Sequence, residues 1–413
     1  MNNTELDILS IGSRVGAPFV KVEMAGLTFG VFQKTVVGGL ARVDYPNYIQ
    51  SLKVRKNANG MVNNYTLDII YPVTFTDDPN FFEKVFSKAK KERRIIFSYG
   101  DSNAPNFIYR TEKAFITKIR QTFEHATIRY TVSAVSDSMQ VSGGLYYFPS
   151  YNSIRPSELL KQILYDTRYN LTDVFYGMKD RQLVETWGLI PTDDVPVRVE
   201  AQNGINILKY IKYLVSCMKS NTDGGNNLIK NAVYTIAVFD DIENKFGGTY
   251  FKVVKVQANL NQYDDLSTAT IDVGFPDKVA VLGFNVSTDD TFSILYDYNG
   301  NLEQNSYIYN INDDGDVVAT WSNQVGQNIT LNRVTESDRT WWTSVTSFPI
   351  QATLKIRGLL RNILLMSQIK INVLFYGKSH IYSGIYMINA QEDSIDSNGY
   401  TTTLSLIRLA DNK

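Results

Sequence analysis

At 413 residues the chain has room for roughly two to four domains, and its 44% apolar content is enough to fill several cores. Its 41 Lys and Arg balance 42 Asp and Glu to a formal net charge of -1, so whole-chain charge gives no case for nucleic acid or membrane as an obligatory partner. A single cysteine, Cys217, excludes an intrachain disulfide, and no run approaches the roughly 18 apolar residues of a spanning helix.

In chain order, Met1 to Ala17 has little periodicity and reads as an arm. Glu5 and Asp7 stand where an export signal needs basic residues before an apolar run, so export by that route is not expected, and the single cysteine favours folding in a reducing compartment. Phe19 to Val31 reads as paired strand around Ala25-Gly26. Tyr48 to Lys56 alternates, Asn57-Ala58-Asn59-Gly60 supplies a turn, and Tyr65, Leu67, Ile69 and Tyr71 follow at period two, which predicts a hairpin. Asp78 and Pro79 set a cap and a helix start ahead of the stripe Phe81, Phe82, Val85, Phe86 and Ala89. Arg94 to Asp101 returns to strand. Then Phe115 to Ile119 and Thr127 to Ser136 form a half-solvated hairpin, with Ile128, Tyr130, Val132 and Ala134 on one face and Thr127, Arg129, Thr131 and Ser133 on the other.

A Gly-, Ser- and Pro-containing linker, Ser138 to Ser153, marks a boundary, after which the period becomes helical. Pro156 opens a helix with Leu159, Leu160, Ile163 and Leu164 inward, and a second helix runs from about Ile205 to Met218. Strands resume from Ala232 and include Tyr250 to Gln257, Thr268 to Val273, Val281 to Val286 and Phe292 to Tyr296. Asn301 to Ser344 is polar and reads as an insertion of hairpins or loops. Ala352 to Ile356 and Ile369 to Tyr376 lead into a closing hairpin that repeats the first, Ile385 to Ile388 and Thr401 to Ile407 joined through Ser394 to Gly399. Leu359 to Met366 is either helix or buried loop. Two matching hairpins predict two related sheet modules.

Ile70-Tyr71-Pro72 through Asp77-Asp78-Pro79-Asn80, Ser98-Tyr99-Gly100-Asp101 and the hairpin to Ser136 together resemble the N-terminal module of phage tail (baseplate) hub proteins. The ending resembles the same family, in Ser383-Gly384-Ile385-Tyr386 and then Gly399-Tyr400-Thr401-Thr402-Thr403-Leu404-Ser405-Leu406-Ile407-Arg408. The likeness covers about half of the chain, and the order of the motifs carries it. It implies two tube-like antiparallel β-barrel modules; with the small mixed or helical insert domain and the loop-rich β insertion read above, a mainly β chain with α+β elements is expected, and the polar stretch Asn301 to Ser344 departs from a minimal hub. The expected division is residues 1–140 for the first module, 141–228 for linker and insert, 229–300 for strands of the second module, 301–344 for the polar insertion and 345–413 for the rest of the second module. It further implies a homotrimer whose pseudo-sixfold ring joins a sixfold tail tube to a threefold central spike. The implied partners are tail tube, spike, tape measure and baseplate proteins, with DNA held only weakly in transit and no stable membrane insertion. The expected place is the virion tail, after folding in the host cytoplasm.

Catalytic material is sparse, and the expectation is a protein that is not an enzyme and needs no cofactor. Two histidines, His125 and His380, give a triad or zinc site little to build on. Gly38-Gly39 and Gly143-Gly144 lack the lysine or the strand-to-helix context of a phosphate loop. Asn312, Asp314 and Asp316 around Gly315 favour a solvated turn over a calcium loop, since no distant bidentate Glu is identifiable. Spacing pairs none of Glu83, Asp101 and Glu392 as glycosidase carboxylates. Cys217, near an apolar helix face, reads as a packed thiol. Trp341 and Trp342 are candidate partner contacts or core. The outward rows Lys53 with Arg55, Arg129 with Thr131 and Thr403 with Ser405 are candidates to face a lumen or a neighbour. An alternative reading, fed by the 12% aromatic content, is a receptor- or carbohydrate-binding, possibly glycan-degrading, virion tail protein.

Overall fold

The computed structural model describes residues 18–31, 33–36, 39–42, 48–74, 78–92, 94–101, 109–220, 232–239, 248–257, 269–274, 281–288, 307–311, 317–322, 328–331, 350–358, 365–397 and 399–411. The fold is β-rich with few helices, and one large sheet dominates it. Its first half begins where the alternation is clearest. Ile49–Asn57 turns through Asn59, in the left-handed region at φ 58°, into Asn64–Pro72. The inward positions Leu52, Val54, Tyr65, Leu67 and Ile69 are all buried. Asn64–Pro72 then pairs with Thr127–Ser136, which pairs with Tyr109–Glu124. Arg94–Asp101, Pro18–Met24 and Leu27–Val31 complete this side of the sheet.

The helix Phe81–Glu92 lies across that face. Its stripe places Phe82 against Phe86, Tyr130, Tyr71, Tyr48 and Phe29, with ring centroids 5.3–5.7 Å apart. Asp78 acts three residues ahead of the first helical residue: its carboxylate accepts from the Asn80 amide at 2.9 Å and from Lys84 Nζ at 2.5 Å, while its carbonyl accepts from the Phe81 amide. The turn at Pro79-Asn80 therefore precedes the first helical residue.

The second half writes the same topology again. In the first unit the sheet order is 49–57, 64–72, 127–136, 109–124, 94–101, 18–24; in the second it is 281–288, 350–357, 399–411, 384–396, 368–375, 269–273. If each unit's strands are numbered in chain order, both sheets read second, third, sixth, fifth, fourth, first. The closing hairpins agree residue for residue. Ile116 with Ala134, Lys118 with Ser133 and Glu124 with Thr127 map onto Ile388 with Leu406, Ala390 with Ser405 and Asp396 with Gly399. Even the bulge recurs, at Thr117 and at Asn389, one extra residue between the same two pairs. Across the sheet, the line Leu52, Leu67, Val132, Ile119 corresponds to Phe284, Leu354, Leu404, Gln391. One difference is direction: the outermost strand of the first unit is antiparallel to its neighbour, and Ala269–Val273 is parallel to Gln368–Phe375.

Between the units, residues 137–220 form a compact mixed insert. Short ladders join Tyr146–Phe148 to Gln202–Ile205 and Tyr151–Ile154 to Val197–Val199. The helices Pro156–Leu164 and Ile207–Cys217 bury Leu160, Leu164, Ile211 and Leu214 together, and Cys217 is packed with them. Asp194 is buried and accepts from the Ser157 amide at 2.9 Å and from the Ser157 hydroxyl, which satisfies the first turn of the helix that Pro156 opens. Asn206 does the same for the second helix through the Lys209 amide.

The strands expected between 229 and 300 divide between two layers. Among the described strands Ala232–Phe239 and Tyr250–Gln257 form a two-stranded sheet of their own, a hairpin wedged between two cores. Tyr234, Ile236, Val238, Phe251 and Val253 face the insert, and Val233, Ala237 and Val256 face the second unit. This explains the nearly continuous apolar run Ala232 to Val238, broken only by buried Thr235, since a strand covered on both faces shows no alternation. The turn at Ala58 to Gly60 locks onto it: Asn59 donates to the Ile236 carbonyl at 2.7 Å, and Ala58 donates to the Asn389 carbonyl at 2.7 Å.

The polar insertion leaves the second unit where the first has that turn, and contains a three-stranded meander of Tyr307–Ile311, Val317–Ser322 and Asn328–Leu331. Asn312, Asp314, Asp316, Trp341 and Trp342 lie outside the described residues, as do most of Leu359 to Met366, of which Leu365 and Met366 are buried.

Candidate functional site

The two units meet in a seam that makes them one sheet. The second half of the bulged strand Gly384–Asp396 pairs antiparallel with Ile49–Asn57: Ile395 faces Leu52, Ser394 faces Lys53, Asp393 faces Val54, Glu392 faces Arg55 and Gln391 faces Lys56. Alternation sends these pairs to opposite faces. Lys53 and Arg55 point to the polar side, and Leu52, Val54 and Lys56 point inward.

On the polar side the structure brings the expected outward residues onto a single face. Lys53 lies between Thr66 and Ser394, and Arg55 between Asn64 and Glu392. The Arg55 guanidinium forks onto Glu392 Oε2 at 2.8 and 2.5 Å, with both side chains partly in solvent. Thr403 is the neighbour of Glu392 on the far side, next to Lys355, and Ser405 lies beside Thr353. On the first unit Thr131 donates to Asp68 Oδ1 at 2.7 Å while Ser51 donates to Oδ2 at 2.8 Å. Arg129 is one step further along, opposite Ile70. The face therefore mixes Lys and Arg with hydroxyls and carboxylates, and basic side chains are interrupted at Asp68 and Glu392.

Beneath the seam is a polar network that sequence reading missed. Glu112, fully buried, accepts from Lys56 Nζ at 2.5 Å, from Tyr65 Oη at 2.6 Å and from Tyr99 Oη at 2.7 Å. Asp393, also buried, accepts from Thr402 Oγ1 at 2.6 Å, from Gln391 Nε2 at 2.9 Å and from Tyr400 Oη at 3.1 Å, with Arg110 Nη1 at 3.6 Å. Lys56 and Arg110 are under a tenth exposed. Two cations and two anions balance, and three of the four come from the first unit. Asp393 of the second unit supplies the missing negative charge, so the seam is electrically complete only when closed.

The two carboxyls are pushed in opposite directions. Burial drives Glu112 up, but the charge and hydrogen bond of Lys56 with the hydroxyls of Tyr65 and Tyr99 outweigh it and hold the carboxyl below its ordinary value. Burial dominates at Asp393 and raises it, against Arg110, Thr402 and Lys56. Burial, reinforced by the carboxylates, also raises the phenols of Tyr99 and Tyr400 well above the ordinary range. Within this cluster the Lys56, Tyr65, Tyr99 and Glu112 set lies inside the first unit, and Arg110 carries it across to Asp393 of the second.

Among the described residues no cluster of His, Cys, Asp and Glu is disposed to hold a metal. His125 sits exposed at a hairpin tip in the left-handed region, and His380 is exposed and accepts from the Tyr382 amide at 3.3 Å. Glu83 is engaged with Gln121 Nε2 at 2.6 Å and Glu392 with Arg55. No helix among the described residues is long and apolar enough to cross a membrane.

No protein-family model and no curated protein sequence matches the chain. Solved structures do resemble it in shape along nearly its whole length. The 43 kDa tail protein of prophage MuSo2 from Shewanella oneidensis aligns with a TM-score of 0.50 at 11% identity, over 95% of this chain and 97% of that one. A tail protein from Neisseria meningitidis MC58 aligns with a TM-score of 0.48 at 7% identity, over 95% and 97%. A component of the type VI secretion system of E. coli aligns with a TM-score of 0.45 at 10% identity, over 89% and 75%. At 11% identity the first of these shows a common fold, and this chain is therefore built on the fold of a phage tail protein.

Proposed function

We propose that this chain is a structural virion protein, a tail or baseplate hub that forms a trimeric ring, adapts a sixfold tail tube to a threefold spike and leaves a passage for DNA. The observation that carries this reading is the duplication: one six-strand unit occurs twice in the same strand order, side by side in one sheet. Three such chains offer six near-equivalent units to a sixfold partner while keeping true threefold symmetry for the other. The fold shared with a prophage tail protein supports the same reading. The role is non-enzymatic, the location is the virion tail, and the partners are tube, spike, tape measure and baseplate proteins. The test is the mass of the purified protein by light scattering, followed by a projection image. A trimeric ring with six similar lobes is expected, and a monomer at every concentration sinks the reading.

A conduit must let DNA pass without holding it, because each neutralised phosphate adds salt-dependent attachment. The polar sheet face suits that demand, with Arg55 paired to Glu392 and Lys53 set among Thr66, Ser394 and Thr401. The purified protein is expected to bind double-stranded DNA no tighter than about micromolar at physiological salt. Nanomolar affinity that survives ~200 mM salt would contradict a passive channel.

A further inference from the structure

The intrachain seam is a template for a second one. In the second unit, Gln368–Phe375 pairs with Gly384–Asp396 only as far as Met387, and beyond that residue the same strand edge is taken by Ile49–Asn57. In the first unit, Arg94–Asp101 pairs with Tyr109–Glu124 only as far as Phe115. Beyond it, the outer edge of residues 117–124 meets no strand among the described residues, although the bulge and the register match those of the occupied edge. At the far end of the sheet Val281–Thr288, the counterpart of Ile49–Asn57, pairs on one side only among the described residues. Among the described residues two edges are thus open, equivalent to the two that have already joined.

We infer that residues 117–124 of one copy pair antiparallel with Val281–Thr288 of a second copy, in the register of the seam within the chain. Carrying Ile395 to Phe123 and Leu52 to Phe284 sets Phe123 opposite Phe284. Thr122 then faces Asn285, Gln121 faces Val286, Arg120 faces Ser287 and Ile119 faces Thr288. Exposure agrees with the assignment. Ile395, covered by the seam, is 5% exposed, whereas its counterpart Phe123 is 72% exposed, in a stretch, residues 117 to 124, that is exposed throughout apart from half-buried Ile119. An aromatic left in water at a free strand edge is the mark of an edge that another chain covers. The joint is head-to-tail, so it closes a ring only if the rotation per copy permits it. It also lacks the forked ion pair of the intrachain seam, since Arg120 meets Ser287 where Glu392 meets Arg55, and it should be the weaker, concentration-dependent joint.

The inference rests on the hub reading for the closed ring, and its test separates the two. Thr122 and Asn285 are exposed, so cysteines there leave the fold intact, and native Cys217 is buried. The full-length T122C/N285C protein is oxidised mildly and compared with T122C/S287C, in which a two-residue slip places the thiols ~7 Å apart along the diagonal, beyond disulfide reach. Covalent trimer about tenfold more abundant in T122C/N285C than in the slipped pair is expected. A trimer by mass that does not cross-link at this pair overturns the seam and leaves the hub standing. Cross-linked ladders that pass three copies keep the seam and overturn the closed ring. A monomer that never cross-links overturns both.

Discussion

Replacing Glu112 by Gln is expected to cost ~3–5 kcal/mol of stability at neutral pH, because it strands the nearly buried Lys56 ammonium beside Tyr65 and Tyr99. The pH dependence identifies the cause. Glu112 titrates below its ordinary value in the folded protein, so its contribution is complete above the ordinary value of 4.5 and is lost as pH falls through the folded value. The gap between the parent protein and Glu112→Gln should therefore be widest near neutrality and shrink below that ordinary value. Asp393 has the opposite sign: its raised folded value makes protonation favour the folded state, so acid relieves strain there while it removes the Glu112 contribution. Adding Lys56→Met to Glu112→Gln should recover part of the loss, since the stranded charge goes with it. Urea midpoints measured across the pH range decide it. A gap independent of pH, or a double variant no better than the single, would mean that shape rather than charge is what Glu112 contributes.

Val132 and Leu404 occupy equivalent positions of the two units, and both are fully buried. Truncating either to Ala removes core contacts and leaves a cavity, and each is expected to cost about 2–4 kcal/mol, with Val132 at the lower end. They lie in separate cores, so their effects should add in the double variant. Denaturant midpoints unmoved by either substitution would mean that the inward faces of both hairpins are assigned backwards.

What could be read from the sequence follows from which faces are wet. Thr127 to Ser136 and Thr401 to Ile407 show a clean period of two because one side meets water, and both hairpins fold where that period put them. Ala232–Phe239 has no such contrast, being covered by the insert on one face and the second unit on the other, so its sequence could not say which sheet it joins. The buried network had a signal that went unused. Lys56 continues the inward series Leu52, Val54; Glu112 precedes Ala114 and Ile116; Asp393 lies between Gln391 and Ile395. A charge at a position that the alternation assigns inward needs a buried partner. Nothing in the sequence could name the partners, because Lys56 and Glu112 lie on non-neighbouring strands of the first unit and Arg110 meets Asp393 of the second. The outward residues Lys53, Arg55, Arg129, Thr131, Thr403 and Ser405 were legible as outward, but that they share one face depends on the seam.

The seam joins residues far apart in the order of synthesis, and that has a consequence for how the protein is made. Arg55 and Glu392 are 337 residues apart. At ~5–20 residues per second of translation, roughly 20–70 s pass between their appearances. Throughout that interval Ile49–Asn57 has an unclaimed backbone edge and Arg110 lacks its carboxylate from Asp393. A nascent chain in that state presents what aggregates and what holdase chaperones bind. Yield of soluble protein should therefore depend on elongation rate and chaperone supply more than on the stability of the finished fold, and slowed translation should lower it.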